Sequence, residues 1–235
     1  METRDESRSG LIIGASRGIG LGLVRQLRAR SWTLIATVRD RCTAVALAEL
    51  SSTDGPPLTI EELDIADAAS VVDFLVAIGD QTFDFALVNA GVLGPEHQSA
   101  DRATSEELGD LFMTNAIAPI RIARRLYPRI ATPDGSIGFM SSRMGSVADN
   151  TSGGLELYRA SKAALNSLTR GLLAELGATA SILTLHPGWV RTDMGGEDAP
   201  LDVETSTAGL AEVIEANLGK PGHHFLDYAG DTIPW

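Results

Sequence analysis

A single cysteine, Cys42, stands in 235 residues, which excludes an intrachain disulfide and suits a reducing cytoplasm. No apolar run approaches the roughly eighteen residues of a membrane-spanning helix. The opening METRDESRSG is polar and mixed in charge, so neither a signal peptide nor an anchor is expected, and residues 1–9 are expected to form a flexible tail. Basic residues are scarce: 19 Lys and Arg against 31 Asp and Glu give a net charge of −12. That balance argues against a nucleic acid or an anionic membrane as partner, since both require a basic surface. A phosphorylated small molecule needs only local positive potential and is not excluded. His223 and His224 adjoin without Cys, Asp or Glu at ligand spacing, so no metal site is expected. No internal repeat or low-complexity linker divides the chain. Its length and its 44% hydrophobic fraction suit one α/β domain spanning residues 1–235.

What is present is glycine, 24 residues against 5% aromatics, set among short apolar runs that alternate with helical patterns. The runs are Leu11–Ile13, Thr33–Val38, Leu58–Leu63, Phe83–Val88, Ser136–Met140, Ser181–Leu185 and His224–Leu226. Helices are expected near 18–30, 43–50, 67–78, 104–127, 155–176 and 203–218. Thr104 and Glu107 have the spacing of a capping box, Gly177 stops the fifth helix, and Gly219 with Pro221 ends the sixth. Nearly continuous apolar strands alternating with helices predict a parallel sheet covered on both faces.

Two local patterns carry chemistry. Gly14-Ala15-Ser16-Arg17-Gly18-Ile19-Gly20 follows the first strand and opens the first helix. Gly14 permits a sharp exit from the strand; Gly18 and Gly20 permit close approach of backbone and cofactor, or of helix and strand. The helix amino terminus then offers free N–H groups to a pyrophosphate, so dinucleotide binding is expected here. The second pattern is Tyr158 and Lys162. The chain has only two lysines and three tyrosines, and these two lie four apart on one helix face. An ammonium near a phenol favours its ionised form, which a tyrosine needs in order to trade protons near neutrality.

Together with Asn89-Ala90-Gly91 after the fourth strand and Pro187-Gly188 after the sixth, these motifs resemble, in order, the classical short-chain dehydrogenase/reductases. The resemblance runs from Leu11 to Trp235. It implies a single-domain Rossmann fold with a doubly wound, seven-stranded parallel sheet and helices on both faces. Within the family, Asn150–Lys162 and Pro187–Gly196 resemble the sniffer-like carbonyl reductases and the C-factor signalling proteins.

Carried onto this sequence, the resemblance makes Tyr158 the acid in carbonyl reduction and the base in alcohol oxidation. Lys162 lowers the tyrosine's pKa and bonds the nicotinamide ribose. Ser142 holds the substrate oxygen; the adjacent Ser141 is the alternative, and strand alternation sends the two to opposite faces. Asn115 holds a water linking the lysine to solvent, or else packs a helix bend. The resemblance also gives cofactor contacts at Ser16, Ile19, Asp64, Ile65, Val190 and Thr192, the last through the nicotinamide carboxamide. Where a ribose-binding carboxylate often ends the second strand, this chain reads Thr37-Val38-Arg39-Asp40-Arg41. Arg39, with Arg17, suits a 2′-phosphate, so NADP(H) is expected over NAD(H). Ile13 replaces a family threonine and Val88 a family asparagine, departures that touch local hydrogen bonding more than chemistry.

The expected activity is reduction of a small or medium aldehyde, ketone or quinone by an NADPH-dependent enzyme. A cofactor-binding signalling protein with little turnover is the alternative. A homodimer or homotetramer is expected, with the dimer formed through helices 104–127 and 155–176.

Overall fold

The computed structural model describes residues 7–131 and 133–235. Of the expected tail, residues 1–6 lie outside that range, and Ser9 already belongs to the first strand. Seven strands, β1 (Ser9–Ile13), β2 (Thr33–Val38), β3 (Leu58–Glu62), β4 (Phe85–Val88), β5 (Ser136–Met140), β6 (Ser181–His186) and β7 (Gly222–Asp227), form one sheet in the order 3-2-1-4-5-6-7. Every pairing is parallel.

Alternation along the strands feeds two cores. One face carries Leu11, Ile13, Val88, Ile137, Phe139 and Ile182 against helices α3 (Ala68–Ile78), α5 (Ala118–Leu126) and α6 (Glu156–Leu176). The other carries Ile12, Leu34, Leu87, Leu183 and Leu185 against α1 (Gly18–Ala29), α2 (Val45–Ser51) and α7 (Val203–Asn217). Both faces of the central strands are therefore buried, as their continuous apolar runs require. Among the described residues no helix is long and apolar enough to cross a membrane, and no group of three or more His, Cys, Asp or Glu could hold a metal.

Several boundaries differ from expectation. Phe83 makes only an isolated bridge to Ile130 before β4 begins at Phe85. The helix expected over 104–127 is not continuous: α4 (Ser105–Phe112) and α5 are joined by a π-helical turn, Met113–Ile117. Pro119 supplies the reason, since it has no N–H to give the Asn115 carbonyl four residues back, and the ladder widens there. The Thr104–Glu107 capping box is present, with both hydrogen bonds made.

Candidate active site

The sheet reverses direction of winding between β1 and β4, so their carboxyl ends open a crevice, the usual ligand position in such sheets. Gly14 leaves β1 at φ +87°, and its carbonyl accepts from Asn89 Nδ2 at 2.7 Å. A Cβ on Gly20 would stand 2.1 Å from that same carbonyl, so Gly20 serves helix–strand packing. Gly18, at φ +53°, meets nothing nearer than the Thr192 methyl, 3.5 Å from an added Cβ. The N–H groups of Gly18, Ile19 and Gly20 have no partner among the described residues. Free donors at the start of a twelve-residue helix, approached without side chains, fit a dinucleotide's pyrophosphate.

Across the crevice, Thr192 and Val190 lie on the loop that follows β6. Pro187 offers its carbonyl to Ser206 Oγ at 2.6 Å, and Gly188 turns at φ +83° with Leu201 packed against it. Arg17, just before α1, reaches over to Asp193 of this loop at 2.7 Å, both side chains being well exposed. At the end of β2 the charges are divided. Asp40 accepts from the Cys42 N–H at 2.8 Å, and Arg41 pairs with Glu61 at 3.0 Å. Arg39 is exposed and makes no ion pair or hydrogen bond among the described residues, so it is the cation available to a ligand. Asp64 accepts from Ala66 N at 2.9 Å, with Ile65 buried beside it.

The four expected catalytic residues converge on the rim formed by β4, β5 and α6. Asn115, completely buried in the π-helical turn, grips Val92 at both its N–H and its C=O, each at 2.8 Å, and donates to Ser161 Oγ at 3.0 Å. An added Cβ on Gly91 would stand 3.2 Å from Asn115 Oδ1 and 3.3 Å from Lys162 Nζ, so a glycine is needed where these two side chains meet the chain. Ser141 donates to Asn166 Oδ1 at 2.7 Å, while Ser142 Oγ accepts from Met144 N at 3.2 Å and interacts with the Tyr158 phenol. Strand alternation does not separate the two serines: β5 ends at Met140, and the partners of both, Asn166 and Tyr158, lie on α6.

The electrostatics depart from the expectation that Lys162 lowers the tyrosine's pKa. Burial pushes the Tyr158 phenol up to about 12, and the interaction with Ser142 pulls it only partly back. Lys162 Nζ lies 5.8 Å from the centre of the phenol ring and donates to the Met140 carbonyl at 3.0 Å. Its own pKa is pushed down to about 8, because burial penalises the ammonium. Desolvation thus outweighs the pairing that helix spacing alone suggests.

Sequence reasoning missed the residues that hold this set in place. Arg143, next to Ser142, bridges Asp149 at 3.3 Å and the largely buried Asp227 of β7 at 3.1 Å. Asp227 also accepts from the N–H groups of Ala229 and Asp231, fixing the far end of the bridge. Trp235 stacks on His223 at 4.2 Å, and its carbonyl accepts from Ala148 N at 3.0 Å, tying down the loop after Ser142. Burial holds His223 neutral, its pKa pushed down to about 3. No sequence signal marks these contacts, which join residues up to 87 positions apart. Pro119 was the one available sign that the helix carrying Asn115 is interrupted.

Residues 9–200 match the family model for short chain dehydrogenase. A carbonyl reductase from Pseudomonas aeruginosa PAO1, in complex with NADP, is 40% identical with a TM-score of 0.88, covering 98% of this chain and all of that one. The carbonyl reductase Sniffer of D. melanogaster is 34% identical, TM-score 0.85, with the same coverage of this chain. The C-signal protein of Myxococcus xanthus is 37% identical over 156 residues, 65% of this chain and 92% of its own length.

Proposed function

The chain belongs to the short-chain dehydrogenase family, and we propose that within it this protein is an NADPH-dependent reductase of small or medium carbonyl compounds. The observation that carries the reading is the meeting of Ser142, Tyr158, Lys162 and Asn115 at the mouth of a glycine-lined crevice. Likeness to carbonyl reductases, one of them holding NADP, supports the same direction. Bound NADPH would supply the hydride. The chain's part is to place the carbonyl and deliver a proton. Ser142 holds the substrate oxygen beside the Tyr158 hydroxyl, and Tyr158 donates its proton as the oxygen gains charge. A phenol held protonated, with its pKa near 12, is in the donating form throughout the neutral range. Lys162 presents its ammonium toward the cofactor ribose and restores the lost proton, while Asn115 holds the Val92 backbone and Ser161 in place beside it. A homodimer or homotetramer is part of the same proposal.

Arg39 gives the cofactor preference. With Asp40 engaged in capping and Arg41 in an ion pair, its guanidinium would take the adenosine 2′-phosphate. Arg39→Ala is expected to weaken NADPH binding roughly tenfold or more, the worth of a charge-assisted hydrogen bond, and to leave NADH binding unchanged. Fluorescence titration with both cofactors checks this. Equal losses for the two would remove Arg39 from the phosphate site.

A further inference from the structure

The catalytic helix α6 begins without a cap of its own. Leu155, at its entrance, sits at φ +45° and provides no side-chain hydrogen bond to the first turn. The early N–H groups of a helix have no partner within it, and the third of these belongs to Tyr158. That N–H donates to Gln98 Oε1 at 2.9 Å, inside the protein. Gln98 is itself buried and held at φ +48°, a left-handed backbone that a residue with a Cβ keeps only where its surroundings impose it. Its Nε2 donates to the carbonyls of Leu93 and Pro95 at 2.9 and 2.8 Å. The reverse orientation of the amide would set an oxygen against two carbonyls and an NH2 against an N–H, so the network admits only one. Glu156 returns the contact by accepting from Ala100 N.

The contacts close into a circuit. The Tyr158 N–H is held by Gln98, and Gln98 holds Leu93. The neighbouring Val92 is gripped at both backbone groups by Asn115. Asn115 donates to Ser161 Oγ, and Ser161 donates to the Tyr158 carbonyl at 2.8 Å. Both backbone polar groups of Tyr158 are thereby fixed from outside the helical ladder, one of them by a residue 60 positions away.

We propose that Gln98 is a positioning residue for Tyr158, holding the backbone of the proton donor, through its buried amide, at the height where the phenol meets Ser142. The proposal rests on Tyr158 being the donor. It assigns the loop after β4 a part in catalysis besides lining the crevice.

The test uses Gln98→Met, similar in shape but unable to make the three hydrogen bonds, and Gln98→Glu. In Gln98→Met, kcat for carbonyl reduction should fall roughly 10- to 100-fold, the scale of an ångström-sized misplacement, with NADPH affinity unchanged. In Gln98→Glu the ionised carboxylate can accept from Tyr158 but repels Leu93 and Pro95. The ratio of its kcat to that of the wild type should therefore recover as the pH falls and the introduced carboxyl regains a donor. Amide exchange in protein labelled with 15N-tyrosine reads the contact without any reaction: of the three tyrosine signals, only that of Tyr158 should exchange faster in Gln98→Met. Unchanged kcat in Gln98→Met beside an inactive Tyr158→Phe would overturn this proposal alone. So would equal losses of turnover and NADPH affinity in both variants without recovery at low pH. A Tyr158→Phe variant as active as the wild type would instead overturn the reading of Tyr158 as donor, and with it the basis of the proposal.

Discussion

Tyr158→Phe is expected to lower kcat for carbonyl reduction by roughly 10²- to 10⁴-fold, the usual contribution of a positioned general acid, while NADPH binding survives. The ring is buried and its shape is kept, so the variant removes one oxygen and little packing. Its backbone N–H and C=O remain tied to Gln98 and Ser161, since neither bond uses the phenol. The substrate oxygen then keeps its Ser142 contact but has no proton source. Residues acting as a unit are strongly non-additive, so Tyr158→Phe combined with Ser142→Ala should be little slower than Tyr158→Phe alone. Steady-state turnover with a panel of aldehydes, ketones and quinones, beside NADPH titration, measures both effects. Turnover within a few-fold of the wild type would remove Tyr158 from the chemistry. Undiminished biological activity in an inactive Tyr158→Phe protein would instead favour the signalling reading.

How far the sequence could be read depended on how local each signal is. The parallel sheet followed from the spacing of apolar runs, because strand burial on both faces is written into consecutive residues. The glycine loop followed for the same reason: Gly14, Gly18 and Gly20 answer backbone demands made within seven residues. The choice between Ser141 and Ser142 was not legible from alternation, because β5 ends at Met140 and both side chains meet residues of α6. The π-helical turn was legible in principle from Pro119, but the periodicity of apolar residues across 104–127 continues through it and masks it. Gln98, Asp193 and Asp227 were invisible, because each acts on a segment distant in sequence: Tyr158, Arg17 and Arg143. The titration of the tyrosine and lysine is not legible in the sequence for a related reason. Helix spacing shows that two side chains share a face; it does not show how much water the rest of the fold removes.

That desolvation leads to a second large effect. Lys162→Met should abolish most turnover and yet stabilise the folded protein at neutral pH. Lys162 is buried, its pKa drops from 10.5 to about 8, and the only hydrogen bond its ammonium makes among the described residues is to the Met140 carbonyl. A depression of that size corresponds to about 3 kcal/mol of unfavourable burial of the charged form. Loss of the bond to Met140 offsets about 1 kcal/mol of this. A net gain of about 2 kcal/mol would raise Tm by several degrees in a chain of this length. The pH dependence gives the sign a separate check. Below about pH 8 both folded and unfolded wild type carry the charged lysine, and the penalty is fully present. Between about 8 and 10.5 the folded state sheds the proton before the unfolded state does, so wild-type stability rises and the advantage of the variant shrinks. Above about pH 10 Tyr158 acts in the opposite direction: its raised pKa favours the folded state below the unfolded value, and that contribution is lost as the pH climbs toward 12. It does so in both proteins, so the difference between their melting curves isolates Lys162. A variant less stable than the wild type at pH 7 would mean that the ammonium is better solvated than its burial implies. A more stable and inactive variant would show that the chain keeps a charge in its interior at a cost to stability, because the proton relay to Tyr158 requires it there.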